Sequence, residues 1–311
     1  MAEVSIIIPC YNVESVVKRC IDSVKQQTFR DFSVYMIDDG SSDDTACVIQ
    51  REIADDSRFR YIYKQNGGLS SARNTGLSFV NSPYVTFVDS DDFITENYIE
   101  KLLSPFFEEK IDLSAAYFDR IYEDHVSQSA FSEQDLILSK HPCAWAKMYK
   151  MSIIKDNHLQ FPEGYWYEDL CFFNLYMKYV KAVKIIKKSL YMYIQNPNSI
   201  MYTYSDKIYD IYDIFDMISK NDPNNEIYEY IAIYHILVGT IFRASFKPDF
   251  NQRTIQDIYD FVHLRYPKWF KNKYIKMQMN IFYRTYLLFL KYKQFTMLYV
   301  ILKMFNSRIS L

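Results

Sequence analysis

The 311-residue chain has only six glycines, nine prolines, five cysteines and five histidines. So few glycines and prolines exclude a collagen-like or low-complexity chain. The cysteines, Cys10, Cys20, Cys47, Cys143 and Cys171, are odd in number and form no C-x-x-C pair. A zinc site or disulfide framework is therefore not expected, and a reducing cytoplasm is the expected compartment. Cys10, Cys20, Cys47 and Cys171 lie in apolar patterns and read as small buried hydrophobes. The histidines are scattered. His141 and His158 have surface or core positions as the ordinary reading and substrate contact as the other. The first residues lack a basic stretch followed by an apolar run, so no signal peptide is expected. The longest uncharged stretch of the apolar C-terminal region covers 294–302, far short of the ~20 residues that span a bilayer. Net charge is also small, with 36 Lys plus Arg against 38 Asp plus Glu. That balance, and the absence of any nucleic-acid motif, argues against a nucleic-acid partner. One local absence stands out. From Phe261 to Leu311 there is no acidic residue, yet ten are Lys or Arg.

Aromatics are abundant, with 29 Tyr and 23 Phe. The first hundred residues alternate between two periodicities. Residues 4–8 are a continuous apolar run, which predicts a buried parallel strand. Val13, Val16, Val17, Cys20, Ile21 and Val24 then mark one face of a helix. Strands are predicted at 33–37, 60–63 and 84–88. Helices are predicted at 43–54, with Ser41, Ser42 or Asp43 as N-cap, and at 69–79. This alternation predicts a doubly wound α/β sheet. Further on, the pattern predicts a helix at 96–108, a strand at 112–118 and a mobile polar loop at 123–133. Helices are then expected at 145–156 and 168–180, with short strands at 183–186 and 190–194. After about residue 205 long helical patterns take over.

The acids fall where this sheet would end. Asp38 and Asp39 close the second strand, and Asp89, Asp91 and Asp92 close the fourth. In a parallel sheet both sets share the carboxyl edge, where ligands bind. A single Asp there reads equally well as a turn cap. Two clusters on one edge point to a shared hard cation, with carboxylates and substrate phosphates as ligands. Three of the six glycines lie in the string from Asn66 to Gly76, ahead of and inside the third helix. Glycine lets backbone approach a ligand closely, and a helix N-terminus suits phosphate. Arg73 adds a forked donor for a phosphate oxygen pair. The string is not a G-x-x-x-x-G-K-[ST] loop, so a P-loop NTPase is not supported. Glu168 and Asp169 open a later apolar helix. They read either as complements to its dipole or as a general base at the sheet mouth.

Taken in order, Ile8-Pro9-Cys10-Tyr11-Asn12, Ile37-Asp38-Asp39-Gly40-Ser41-Ser42-Asp43, the 66–76 string, Asp89-Ser90-Asp91-Asp92 and Glu168-Asp169 resemble a family 2 glycosyltransferase. The resemblance covers about residues 3–200. It implies the GT-A fold, a Rossmann-like mixed sheet, here with a helical C-terminal extension. It divides the chain into a transferase domain at 1–204 and a helical region at 205–311. Within the first, 1–100 would be the nucleotide-sugar half and 101–204 the acceptor half.

The resemblance also implies roles. Pro9 and Tyr11 would border the base, with Asn12 beside them, and Asp38 and Asp39 would hold the base or ribose. Asn66, Gly68, Arg73 and Asn74 would line the nucleotide and pyrophosphate. Asp89 and Ser90 would touch the donor. Asp91, with Asp89, would hold Mn²⁺ or Mg²⁺. Asp169 would be the general base, supported by Glu168.

The implied reaction is an inverting, metal-dependent transfer of one hexose or N-acetylhexosamine from a UDP-sugar. The acceptor would be a glycan or a saccharide on a lipid diphosphate, in capsule or exopolysaccharide assembly. A sugar-phosphate nucleotidyltransferase and a non-catalytic nucleotide-sugar-binding partner are the alternatives. The Q-x-x-R-W signature of processive synthases is absent, and so is an Arg soon after Tyr191-Met192-Tyr193, where Gln195, Asn198 and Ser199 follow instead. In the C-terminal region Phe295, Leu298, Tyr299, Leu302 and Phe305 form a helical stripe. It reads as core or homodimer packing, or as an interfacial helix on an anionic membrane. The second reading would place the protein peripherally on the inner face of the cell membrane.

Overall fold

The computed structural model describes residues 2–196 and 205–309, with side chains through residue 304. Four strands form a parallel half-sheet: β1 (Val4–Cys10), β2 (Phe32–Asp38), β3 (Phe59–Tyr63) and β4 (Tyr84–Phe87). Every residue of β1 is buried, as expected of a strand covered on both faces. Helices α1 (Val17–Lys25), α2 (Thr45–Ile53) and α3 (Leu69–Phe79) connect them. The remaining elements of this unit are β5 (Phe93–Ile94), α4 (Tyr98–Glu108), β6 (Leu113–Ile121), β7 (Val126–Ser129), α5 (Glu133–Ile137), β8 (Lys147–Lys150), α6 (Met151–Asp156), α7 (Glu168–Met177) and β9 (Val183–Ile194). The strand order is β3-β2-β1-β4-β8-β6-β9-β5, with β7 paired to β6. Antiparallel β8 joins the parallel half to β6, so the sheet is mixed.

Several expectations need correction. Residues 145–156 are not one helix. Lys147–Lys150 is a strand, and only Met151–Asp156 is helical. The expected loop at 123–133 contains β7, which forms a hairpin with β6. The two short strands at 183–194 are one strand, irregular in register near Tyr117. The first helix starts at Val17 and the second at Thr45, whose N-cap is Asp44. Cys47 is exposed, because α2 turns Thr45, Ile49 and Ile53 inward at four-residue spacing.

Gly76 lies where α3 crosses β1. A Cβ there would sit 2.5 Å from Cγ2 of buried Ile7. Overpacking costs about 1–3 kcal/mol, against about 1 kcal/mol of helix propensity gained by alanine. Gly76→Ala is therefore expected to lower the thermal unfolding midpoint by a few degrees, measured by calorimetry.

The chain divides into two compact units. The first comprises residues 1–164 and 168–197, the second 165–167 and 198–311. The boundary expected at 204/205 and the positions Asn198 and Ser199 adjoin or lie outside the described residues. The second unit is helical: a 3₁₀ turn at Asp206–Asp210, α8 (Ile211–Ser219), α9 (Glu226–Ile231), a π-helical stretch Ala232–Thr240, α10 (Ile241–Ala244), α11 (Gln252–Arg265), a 3₁₀ turn Trp269–Lys271, α12 (Lys273–Gln278), α13 (Ile281–Lys291) and α14 (Phe295–Ile309). Asn225, Asn251, Asn272 and Asn280 accept backbone N–H bonds at the starts of α9, α11, α12 and α13. Asn is a strong N-cap because its side chain satisfies donors that have no intrahelical partner. Among the described residues no helix is long and apolar enough to cross a membrane.

Candidate active site

β1 and β2 end in register at Cys10 and Asp38, and parallel β4 leads into Val88 and Asp89. Both acid clusters therefore share the carboxyl edge, as the sequence predicts. Their environments differ. Buried Asp38 accepts from Ser41 N at 2.9 Å and from Tyr61 Oη at 2.6 Å, so one oxygen holds the turn after β2 and the other ties it to β3. Asp39 accepts from Lys64 Nζ at 2.6 Å, Gly67 N at 3.0 Å and Gly68 N at 2.7 Å. The N–H groups expected to meet phosphate thus meet the Asp39 carboxylate in this state. Gly40, at φ +76°, closes the turn, and a Cβ there would lie 2.8 Å from Asn66 N. That close approach seats exposed Asn66 against the turn. Asn12 joins the same corner. Its N–H donates to Ser41 Oγ, and its Oδ1 accepts from Ser42 N. Buried Pro9 and half-exposed Tyr11 stand beside it.

Arg73 departs most from expectation. It is 3% exposed, and its fork is taken by two carboxylates: Nη2 donates to Asp89 Oδ1 at 2.9 Å and Nη1 to Glu168 Oε1 at 3.0 Å. The guanidinium also lies over the Phe161 ring. Arg73 therefore bridges the end of β4 to the start of α7, two sites 79 residues apart in sequence, instead of facing open solvent. Asn74, its neighbour on α3, donates to Phe161 O and accepts from Phe161 N, which pins the segment that approaches α7.

Around this arginine the acids are crowded. Glu168 is pushed up to about 7 by burial and by the Asp169 charge, with Arg73 pulling the other way. Asp169 is raised by burial, opposed by Arg73 and by Lys147. Asp91 is raised by desolvation from the surrounding protein and by Asp89. Its main-chain oxygen accepts from Arg19. Ser90 is buried between them. Asp92 is turned inward. It accepts from Tyr191 Oη at 2.7 Å and from Ile194 N at 2.8 Å. Tyr191 Oη also accepts from Asp89 N at 3.1 Å, so one phenol ties both ends of the acidic loop to β9.

A model of the family "Glycosyl transferase family 2" matches residues 5–162. The chain belongs to that family. It is 29% identical over 226 residues to glycosyltransferase GlyA of Streptococcus pneumoniae, covering 66% of this chain and 32% of GlyA. It is 30% identical over 214 residues to the uncharacterized glycosyltransferase EpsJ of Bacillus subtilis, covering 63% of this chain and 62% of EpsJ. The chain thus spans about a third of GlyA and under two thirds of EpsJ. In structure it matches residues 1–349 of Staphylococcus aureus TarS, solved in complex with UDP-GlcNAc. The TM-score is 0.79 at 20% identity, over 99% of this chain and 92% of that one. The fold is therefore GT-A.

Enzymes of family 2 typically use a divalent cation, and the donor set here fits one. Asp89 and Asp91 offer hard carboxylate oxygens on one loop. Among the described residues no third His, Cys, Asp or Glu completes a protein-only shell.

Sequence reading missed Lys147. It is 1% exposed, donates to Cys143 O at 2.7 Å and lies over the Phe173 ring. A lysine in a short strand reads as surface, so only the packing of β8 beside α7 discloses it. Tyr191 and Asp92 were in view as residues, but not as a pair. Half-buried His141 sits among Phe118 and Phe131 and is lowered to about 4 by desolvation and by Lys147. His158 adopts φ +51°.

Proposed function

We propose that this family-2 chain moves a single hexose or N-acetylhexosamine from a UDP-sugar to a saccharide or lipid-diphosphate-linked saccharide acceptor, with inversion, in cell-surface polysaccharide synthesis. The observation that carries the reading is the cluster joined by Arg73, which brings Asp89 together with Glu168, next to Asp169; Asp89 would face the donor. A UDP-sugar needs charge neutralisation at the leaving diphosphate, and the acceptor hydroxyl needs a base near the anomeric carbon. Asp91 and Asp89 would hold the cation, which offsets charge developing on the diphosphate. Tyr11, Pro9 and Asn12 would border the base, and Asp39 would exchange its glycine N–H partners for base or ribose. Asn66, Gly68 and Ser90 would line the donor. Asp38, Arg73 and Asn74 would shape that pocket from behind. Asp169 would take the acceptor proton, with Glu168 controlling its charge. A raised carboxylate is a stronger base than a free one, which suits the task. Such acceptors would be met at the cytoplasmic face of the membrane.

Family membership favours glycosyl over nucleotidyl transfer. The TarS neighbour's ligand makes UDP-GlcNAc the first donor to try. The test is UDP release from UDP-glucose, UDP-galactose, UDP-GlcNAc and UDP-GalNAc, with Mn²⁺ or with EDTA. Slow release from one donor, abolished by EDTA, is expected. Asp91→Ala should weaken Mn²⁺-dependent UDP binding at least tenfold by calorimetry. Release that EDTA leaves untouched would remove the metal from the mechanism, and failure to bind UDP at all would remove the donor class.

A further inference from the structure

Of the stripe singled out in the sequence, four residues form an inner face, and the side chain of Phe305 lies outside those described. Leu298 and Leu302 of α14 are buried, Phe295 packs on Tyr259, and Tyr299 packs on Phe250. The outer face of the same helix carries a second stripe, Met297, Val300, Ile301 and Met304, all exposed. Their spacing of three and four keeps them on one side. Helix α13, which packs on α14, repeats the arrangement. It buries Tyr286, Leu287 and Leu290 and leaves Ile281 at 72%, Phe282 at 64% and Leu288 at 49% exposed, with Tyr292 just beyond its end at 62%. Among the described residues, both helices of this hairpin are thus apolar on two faces, one buried and one exposed. Large contiguous apolar surfaces mark interaction sites on soluble folds.

Charge selects the occupant. The segment from Phe261 onward has ten cations and no acid. Its recorded ion pairs, Arg265 with Asp216 and Lys273 with Glu226, use acids from elsewhere in the unit. Lys276 on α12 and Lys293 in the turn between α13 and α14 are exposed, and the Lys291 ammonium lies over Phe270 and Tyr292. A second copy fits badly. In a two-fold dimer the patch meets itself, so cations would face cations with no acid of this segment between them. A surface of apolar residues rimmed by cations and aromatics matches a lipid interface instead.

We propose that the outer face of the α13–α14 hairpin docks the protein onto a membrane surface rich in anionic phospholipid. Each cation held at such a surface is worth roughly fivefold in partitioning, and the exposed stripes supply the apolar insertion.

The test is co-sedimentation of the full chain with vesicles of phosphatidylcholine alone and with about 30 mol% phosphatidylglycerol, an anionic lipid that gives the surface a negative potential. Binding to the anionic vesicles, weakened by salt, is expected. Two variants separate the contributions: Ile281→Gln with Leu288→Gln, Ile301→Gln and Met304→Gln, and separately Lys276→Glu with Lys293→Glu. All these positions are exposed, so unfolding midpoints should stay near wild type, and each variant should lose binding at least tenfold. Three results would overturn the proposal: equal binding to neutral vesicles, binding indifferent to both variants, or no vesicle binding. In the last case, light scattering that shows a dimer abolished by the apolar variant assigns the face to self-association.

Discussion

Asp169→Asn is expected to lower turnover by about 10²–10⁴-fold, the usual weight of a general base, while UDP binding stays within a few-fold. The substitution keeps shape and removes only the proton-accepting charge. Loss of kcat with KM for the donor unchanged is the signature of a group acting in the transition state. The pH profile adds a second signature. Burial raises both Glu168 and Asp169, and a base works only when ionised. Activity should therefore fall as pH drops through a limb lying above the ordinary carboxylate range, toward neutrality. Glu168→Gln removes one of the two repelling charges, so its limb should move to lower pH. Near-wild-type turnover by Asp169→Asn, with a verified acceptor, would place the base elsewhere.

Arg73→Met carries the largest expected effect on stability. Arg73 is the shared counter-charge of Asp89 and Glu168. Removing one partner of a buried pair costs about 3–5 kcal/mol, toward the lower figure here because Asp89 keeps some contact with water. Urea unfolding at pH 8 should show the full loss. The loss should shrink as pH falls. Without Arg73 the folded-state pKa of Glu168 rises further above its unfolded value, so between those two values the folded state binds more protons. Stability of the variant then increases as pH decreases. Arg73→Lys should recover part of the loss, since one ammonium replaces a fork that reaches two carboxylates. An unfolding midpoint independent of pH in Arg73→Met would mean the acids find other partners.

The parallel half of the sheet was legible because its strands are apolar runs separated by helical periodicity. α3 falls at the predicted residues, and the acids fall on the predicted edge. The second half was less legible. β8 is four residues long and begins with a lysine, and the helix that follows it without a break lends it a helical pattern. At the site, the sequence placed the acid clusters on one sheet edge but did not show their partners. Arg73 reads as a phosphate ligand, and the sequence does not show that its fork also meets Asp89 and Glu168. Asp92 looks like its neighbours until Tyr191 turns it inward. Such pairings depend on side chains about a hundred residues apart, which no local pattern encodes.

The distribution of thiols affects how this protein is handled. Burial raises the pKa of Cys10, Cys20, Cys171 and the half-buried Cys143, and only the thiolate reacts. Cys47 alone is exposed, on α2, a helix that contributes none of the site residues. An alkylating fluorophore should therefore attach at one place without touching the acids. In air, the same thiol can join two molecules covalently. A disulfide-linked dimer on a non-reducing gel would report α2 meeting α2 and nothing about the C-terminal hairpin.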